Sequence, residues 1–366
     1  MTPMVTLLNT LSLIYTPNIF LFILHSRKGN NVDKLQRAYA TLAGLALGDA
    51  LGMPTQSMSP NQIRDSYGGP VSGLRSSGED QPIAPLMQAG SVTDDTEQAV
   101  LLAELLIEDK GRIDPPKLAR RLLDWEAKME TNGSLDLLGP STKLALQQLR
   151  DGVPMENLGT TGTTNGAAMR VAPIGVACAL ESPRLFDLVF DSCRLTHRTV
   201  NGIQAATVVA LSVSAGIEGY SITDAIQYSL GQITDRELGG VWNPQALVAS
   251  RIEYALEVSQ LHNGSESSFI TSVQKEIGTS VEANESIPAA FALLHYYREN
   301  PYQALIAATN IGGDTDTIGA IVGAIIGATC GSTVFPHDEV SLVENVSGIN
   351  FLDLAQSLVE LRMNHA

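Results

Sequence analysis

From residue 34 onward, apolar residues recur at three- and four-residue spacing, the repeat expected of helices that bury one face. The runs are 36–51, 95–108, 116–129, 201–215, 246–260, 287–298 and 317–330. Alternating apolar and polar residues, the mark of a half-buried strand, are scarce. Ser59-Pro60, Asp114-Pro115-Pro116, Ser182-Pro183 and Ser286-Ile287-Pro288 each place a capping residue at or near a proline suited to a first helical turn. The pattern predicts a compact all-α domain. Glycine and alanine crowd 43–52 (AGLALGDALG) and 319–331 (GAIVGAIIGATCG), at spacings that let two backbones approach closely. In a membrane such residues form packing seams, but acids at the start of both helices favour a buried central pair in a soluble bundle.

The amino terminus breaks this pattern. Residues 4–24 are apolar, yet no basic segment precedes them, no small-residue cleavage site follows, and Asn9, Pro17 and Asn18 interrupt them. Arg27 and Lys28 would suit a cytoplasmic flank. Residues 1–31 are read as an appendage, an upstream extension of the reading frame, ahead of a domain spanning 32–366.

With 366 residues and 44% hydrophobic content, the chain can bury the core of one large domain. Its 23 basic against 39 acidic residues, a net charge of −16, argue against a nucleic-acid partner, whose affinity rests on clustered Lys and Arg. The same charge argues against a membrane partner. Cys178, Cys193 and Cys330 are odd in number and widely spaced, which predicts neither a disulfide framework nor a thiolate metal site and suits a reducing cytoplasm. A monomer is expected.

The candidate chemistry lies in two acidic clusters about 220 residues apart, Thr93-Asp94-Asp95-Thr96 and Asp314-Thr315-Asp316-Thr317, each opening into an apolar helical run. Carboxylate and hydroxyl oxygens suit hard divalent cations, so the clusters read as two halves of one Mg²⁺, Ca²⁺ or Mn²⁺ site. Asp314 and Asp316, at i and i+2, would face the same way in an extended segment, and Gly312-Gly313 would permit the turn presenting them. Asp94 is expected to cap its helix while Asp95 begins the first turn. Each cluster alone reads more readily as a helix cap than as a ligand set, because Asp and Thr favour helix starts for their own sake. Their combined density favours a cation, since close carboxylates repel one another without one. The Gly- and Thr-rich 159–166 (GTTGTTNG) reads as a functional loop, with Gly162–Gly166 offering N–H groups and hydroxyls ahead of a helix as a cradle for phosphate or ribose oxygens.

Five blocks, GLALGDALGMP (44–54), GSVTDDTE (90–97), TTNGAAMRVAPIG (163–175), LTH (195–197) and NIGGDTDTIGAIVGAIIGA (310–328), resemble in order and spacing those of the ADP-ribosylglycohydrolase family, over roughly 36–360. The resemblance implies an all-α fold with a binuclear Mg²⁺ or Mn²⁺ centre at the bottom of a cleft, cleaving an N- or O-glycosidic bond at the anomeric carbon of a ribose. Carried over by position, the two cations would be held by Thr93, Asp94, Asp95, Asp314, Asp316 and Thr317, with Asp95 and Asp314 as catalytic carboxylates. Thr164, Asn165 and Gly166 would touch the ribose and diphosphate. His197 matches a family histidine near the substrate and reads equally as a solvated residue at a helix end. Asp49, within the first helix, must be paired or hydrogen-bonded if buried, and is expected to support the site.

One departure matters. Many members carry a Glu seven residues after the first-block aspartate, where this chain has Gln56, and an amide cannot act as a carboxylate base. Asp136 is the candidate substitute. Three readings stay open: a hydrolase releasing ADP-ribose from a modified protein side chain or small molecule; an N-ribosidase acting on a nucleoside or other small N-riboside; and a catalytically weak ADP-ribose-binding protein. Histidine-rich bridging motifs are lacking, which places a metallophosphatase behind these. No aromatic platform for adenine stands out, since Tyr67, Trp125 and Trp242 have no sequence-defined place in a cleft.

Overall fold

The structure, a computed structural model, describes residues 17–131 and 138–364. Its order is α1 (Pro17–Gly52), α2 (Pro60–Tyr67), α3 (Asp94–Glu108), α4 (Pro115–Thr131), α5 (Pro140–Arg150), the short α6 (Gly166–Met169) and α7 (Ala172–Ala177), α8 (Arg184–Cys193), α9 (Val200–Ile217), α10 (Ile222–Asp235), α11 (Val248–Leu261), α12 (Glu266–Ser272), α13 (Ala283–Tyr296), α14 (Pro301–Asn310), α15 (Thr315–Cys330), α16 (His337–Ser347) and α17 (Phe351–Asn364). Extended pairing among the described residues is limited to isolated bridges. The fold is all-α, as the periodicity predicts.

The small-residue helices α1 and α15 form the centre of the molecule. Gly44 faces Gly323, Gly48 faces Gly319, and Gly327 faces Ala40, each so close that an added Cβ would lie within 3.0 Å of the opposing backbone. Only glycine permits that approach. Helix α9 packs beside α15; its 18 residues are long and apolar enough to cross a membrane, with mean hydropathy 1.5, yet 94% of the segment is buried inside the fold. One continuous apolar core surrounds these three helices.

Three of the four proline signals mark helix starts. Ser59 caps α2 in a reciprocal capping box with Gln62, α4 begins at Pro115, and Pro183 precedes α8. The fourth is corrected: α13 begins at Ala283, which leaves Ser286 and Pro288 inside it. The preceding segment is held extended by Asn165 N–H donating to Val281 O (2.9 Å) and Ala283 N–H to Thr163 O (3.0 Å), so the helix starts where that pairing ends. The three cysteines are free, and Cys178 and Cys193 are buried. Residues 1–16 of the apolar segment, and Asp136, lie outside the described residues.

Candidate active site

The starts of α3 and α15 come together at one cavity of about 320 Å³. Asp94, Asp95, Asp314, Asp316 and Thr317 line it from these helices, and Thr164, Asn165 and Gly166 line it from the loop before α6. Helix packing explains the meeting: α15 begins beside Gly52 at the end of α1, where Thr315 Oγ1 donates to Gly52 O (2.9 Å) and to no side chain of the cavity. Gly312 and Gly313 hold φ values of +81° and +79°, and Gly313 presses on Thr279, so the turn before Asp314 has no room for a side chain. Asp314 N–H donates to Thr279 O (2.8 Å).

The capping arrangement differs from the sequence expectation by one residue. Thr93, not Asp94, is the N-cap of α3, accepting from Asp95 N–H, and Asp314 occupies the N-cap of α15 without a side-chain capping bond. Asp49, fully buried on α1, takes over the capping of α3. It accepts from the N–H groups of Thr93 (3.0 Å) and Thr96 (3.1 Å) and from both hydroxyls. Burial raises the Asp49 pKa to about 6, against the lowering effect of these four donors. Asp95 Oδ2 receives the Thr317 hydroxyl (3.2 Å) and lies 3.2 Å from Thr93 Oγ1, whose single hydrogen is shared with the nearer Asp49 (2.9 Å), while the buried Oδ1 of Asp95 has no hydrogen-bond partner. Burial first, then the charges of Asp94, Asp49 and Asp314, push Asp95 well above the usual carboxylate range.

This donor set fits a hard divalent cation in chemistry: all oxygen, buried, with unmet negative charge. The carboxylates share the cavity without closing on one point; among the described residues no three Asp, Glu, His or Cys side chains form a ready-made cage. Thr93, 2% exposed, does not line the cavity and reaches it only through Asp95.

The loop meets the cavity differently from the expected cradle. Its Gly162, Thr164 and Asn165 N–H groups are engaged by Gly159 O, Ser141 Oγ and Val281 O, and α6 is only four residues long. Side chains face the site instead. Asn165 Nδ2 donates to Asp314 Oδ2 and to Ser286 Oγ, which joins the loop to the second acidic cluster and to α13. His197 is neither solvated nor on the cavity surface. It is fully buried behind Gly166, with Thr164 Oγ1 at 3.0 Å from Nε2 and Thr196 Oγ1 at 2.9 Å from Nδ1. Burial, then the nearby Arg170 charge, holds its pKa well below that of an ordinary histidine.

Gln56 lines the cavity, 6% exposed, and its buried Nε2 has no hydrogen-bond partner. Beside it Ser57 holds φ +60°, a strained value for a non-glycine residue, with its N–H on Gly313 O (2.7 Å). The sequence reading missed the first turn of α5, where Thr142 and Lys143 line the same cavity; Gly139-Pro140 was the available signal. Tyr67, Trp125 and Trp242 all stay off the cavity wall.

A family model described as ADP-ribosylglycohydrolase matches residues 30–366. The chain belongs to the ADP-ribosylglycohydrolase family. Uncharacterized protein YegU of Escherichia coli K12 is 34% identical over 79% of this chain and 86% of its own. The ADP-ribosyl-[dinitrogen reductase] glycohydrolase of Rhodospirillum rubrum is 24% identical over 78% of this chain and 82% of its own. A solved ADP-ribosylglycohydrolase-related protein complex shares the fold, with TM-score 0.66 and 22% identity, covering 90% of this chain and 99% of that one.

Proposed function

We propose that this family member is a divalent-cation-dependent hydrolase that cleaves the glycosidic bond between ADP-ribose and a modified side chain or small molecule. The observation that carries the reading is the convergence of both acidic clusters and the Thr164–Gly166 loop on one cavity. The name of the Rhodospirillum rubrum relative supports the bond type.

Asp94, Asp95, Asp314, Asp316 and Thr317 would hold two Mg²⁺ or Mn²⁺ ions, with Thr93 steadying Asp95. Such ions would supply Lewis-acid stabilisation of the charge that develops as the bond breaks. The chain's own groups do the rest. Asp49 fixes the turn carrying Asp94 and Asp95, and Asn165 fixes the Asp314 carboxylate. Asp95 and Asp314 orient the attacking water, and one of the two carboxylates takes its proton as the water oxygen bonds to the anomeric carbon; the leaving atom departs with its electron pair and receives that proton back from the carboxyl. Gln56 takes no proton and contributes a hydrogen-bond donor.

Release of free ADP-ribose from ADP-ribosyl-arginine and ADP-ribosyl-serine, and of free ribose from a panel of nucleosides, with Mg²⁺, Mn²⁺ or chelator, tests the reading. Chelator-sensitive release from an ADP-ribosylated substrate, abolished in Asp316→Ala, is the expected result. Full turnover in chelator overturns the cation requirement. Release from nucleosides alone turns the protein into an N-ribosidase, and ADP-ribose binding without turnover makes it a binding protein.

A further inference from the structure

A chain of hydrogen bonds runs behind the cavity from the first acidic cluster to the substrate loop. Gln98 Nε2 donates to Asp94 Oδ2 (2.7 Å), and Gln98 Oε1 accepts from Arg170 Nη1 (3.1 Å). Arg170, fully buried, also donates through Nη2 to Ser192 O (3.0 Å) and Thr196 Oγ1 (2.8 Å). Thr196 Oγ1 reaches His197 Nδ1, and His197 Nε2 reaches Thr164 Oγ1.

Counting hydrogens fixes the direction of this chain. A guanidinium only donates, so Thr196 accepts from Arg170 and has one hydrogen to give. Its remaining polar neighbour is His197 Nδ1; were Nδ1 protonated, Thr196 would accept twice and its own buried hydrogen would have no acceptor, so the arrangement that satisfies every buried donor makes Nδ1 the acceptor. A neutral imidazole carries a single N–H, here on Nε2, and this donates to Thr164 Oγ1. The Thr164 hydroxyl then has its own hydrogen uncommitted, on a residue that lines the cavity.

We infer that Arg170, Thr196 and His197 form a polarised relay that holds the Thr164 hydroxyl as a donor into the cavity, facing an acceptor-only oxygen of the ligand: a non-bridging oxygen of the ADP-ribosyl diphosphate. The identity of that oxygen rests on the proposed function; the direction of the relay does not. The neighbouring wall suits an anion. Ser141 Oγ takes the Thr164 N–H (3.4 Å), the first turn of α5 faces the cavity, and Lys143 is the cationic residue lining it among the described residues. The remaining Nε2 donor of Gln56 is likewise unmatched inside the cavity. Arg170, Thr196 and His197 are thus positioning residues that act through Thr164.

Two measurements test this. Nitrogen-15 NMR of the full chain, with the His197 signals assigned by their loss in His197→Gln, should show a proton on Nε2 and none on Nδ1. A proton on Nδ1 overturns the relay. Calorimetric binding of ADP-ribose should weaken on the order of tenfold to a hundredfold in Thr164→Val and recover in Thr164→Ser, whereas adenosine binding should change little. Equal weakening of both ligands, or none, overturns the diphosphate contact. If wild-type protein binds no ADP-ribose, the proposed function fails and the diphosphate contact with it, while the tautomer still decides the relay.

Discussion

Replacing Gly48 by Ala probes the seam that brings the two acidic clusters together. A Cβ built at Gly48 falls within 3.0 Å of the Gly319 carbonyl and 2.9 Å from Ala320 N, all of them backbone atoms that cannot rotate away. Ordinary contact begins at 3.4 Å, so relieving the Ala320 N contact alone requires α15 to retreat from α1 by about 0.5 Å, and the nearer Gly319 carbonyl requires more. Overpacking of this kind costs about 1–3 kcal/mol. Alanine's helix propensity offsets about 1 kcal/mol of it. Gly231, inside α10, is the control, because nothing lies within 4 Å of its added Cβ. Gly231→Ala should therefore gain up to about 1 kcal/mol, and the difference between the two variants isolates the steric part, about 1–3 kcal/mol. Urea unfolding followed by circular dichroism, in chelator so that bound cations do not contribute, measures both. Equal stabilities for Gly48→Ala and Gly231→Ala would show that α1 and α15 do not pack as described. Gly52→Ala carries the same clash to Asp316 Cα and N, and should also weaken Mn²⁺ binding.

Asp95→Asn removes a carboxylate crowded by Asp94, Asp49 and Asp314, and should raise the melting temperature in chelator while losing most of the stabilisation that Mg²⁺ or Mn²⁺ confers; a lower melting temperature in chelator would contradict the repulsion. Gln56→Glu places a carboxylate where many family members have one, and hydrolysis of ADP-ribosyl-arginine or ADP-ribosyl-serine should rise; an unchanged or lower rate would show a pocket adapted to an amide. His197 has a depressed pKa, so below about pH 6.5 the unfolded chain takes up a proton that the folded chain refuses, and stability falls by about 1.4 kcal/mol per pH unit until the folded pKa is reached. The raised Asp49 and Asp95 act with the opposite sign but in wild type and variant alike, so His197→Gln should flatten only the histidine slope; parallel stability curves from pH 6.5 downward would argue against a buried neutral ring.

The helices with strong periodicity were legible because burial of one face leaves a repeat in the sequence. So was the pairing of α1 with α15, since few arrangements other than a close backbone crossing need glycine at Gly44, Gly48, Gly319 and Gly323. The start of α13 was not, because Pro288 reads as a first-turn proline and only the pairing of Val281 with Asn165 shows the helix beginning earlier. The two acidic clusters announced themselves by composition, but the position of His197 behind Gly166 depends on the path of the chain through 159–199, which no local pattern records. The same holds for Lys143, an ordinary surface-helix residue until α5 is placed against the loop.

The distribution of donors separates Asp49 from the other acids of the site. Had Asp94 and Asp95 been present to cap α3, the free N–H groups of its first turn would fall to their carboxylates. The Thr93 and Thr96 N–H groups go instead to Asp49, which arrives from α1 with both threonine hydroxyls also bonded to it. Asp314 stands at the N-cap of α15 and makes no capping bond. Helix formation therefore accounts for Asp49 and leaves the other acids unexplained by local structure. Buried carboxylates that repel one another lower stability, and they are retained where function requires them. Under the proposed function that cost is offset by a bound cation, and Asp95 Oδ1, buried and without a hydrogen-bond partner, is the oxygen whose demand such a cation would meet.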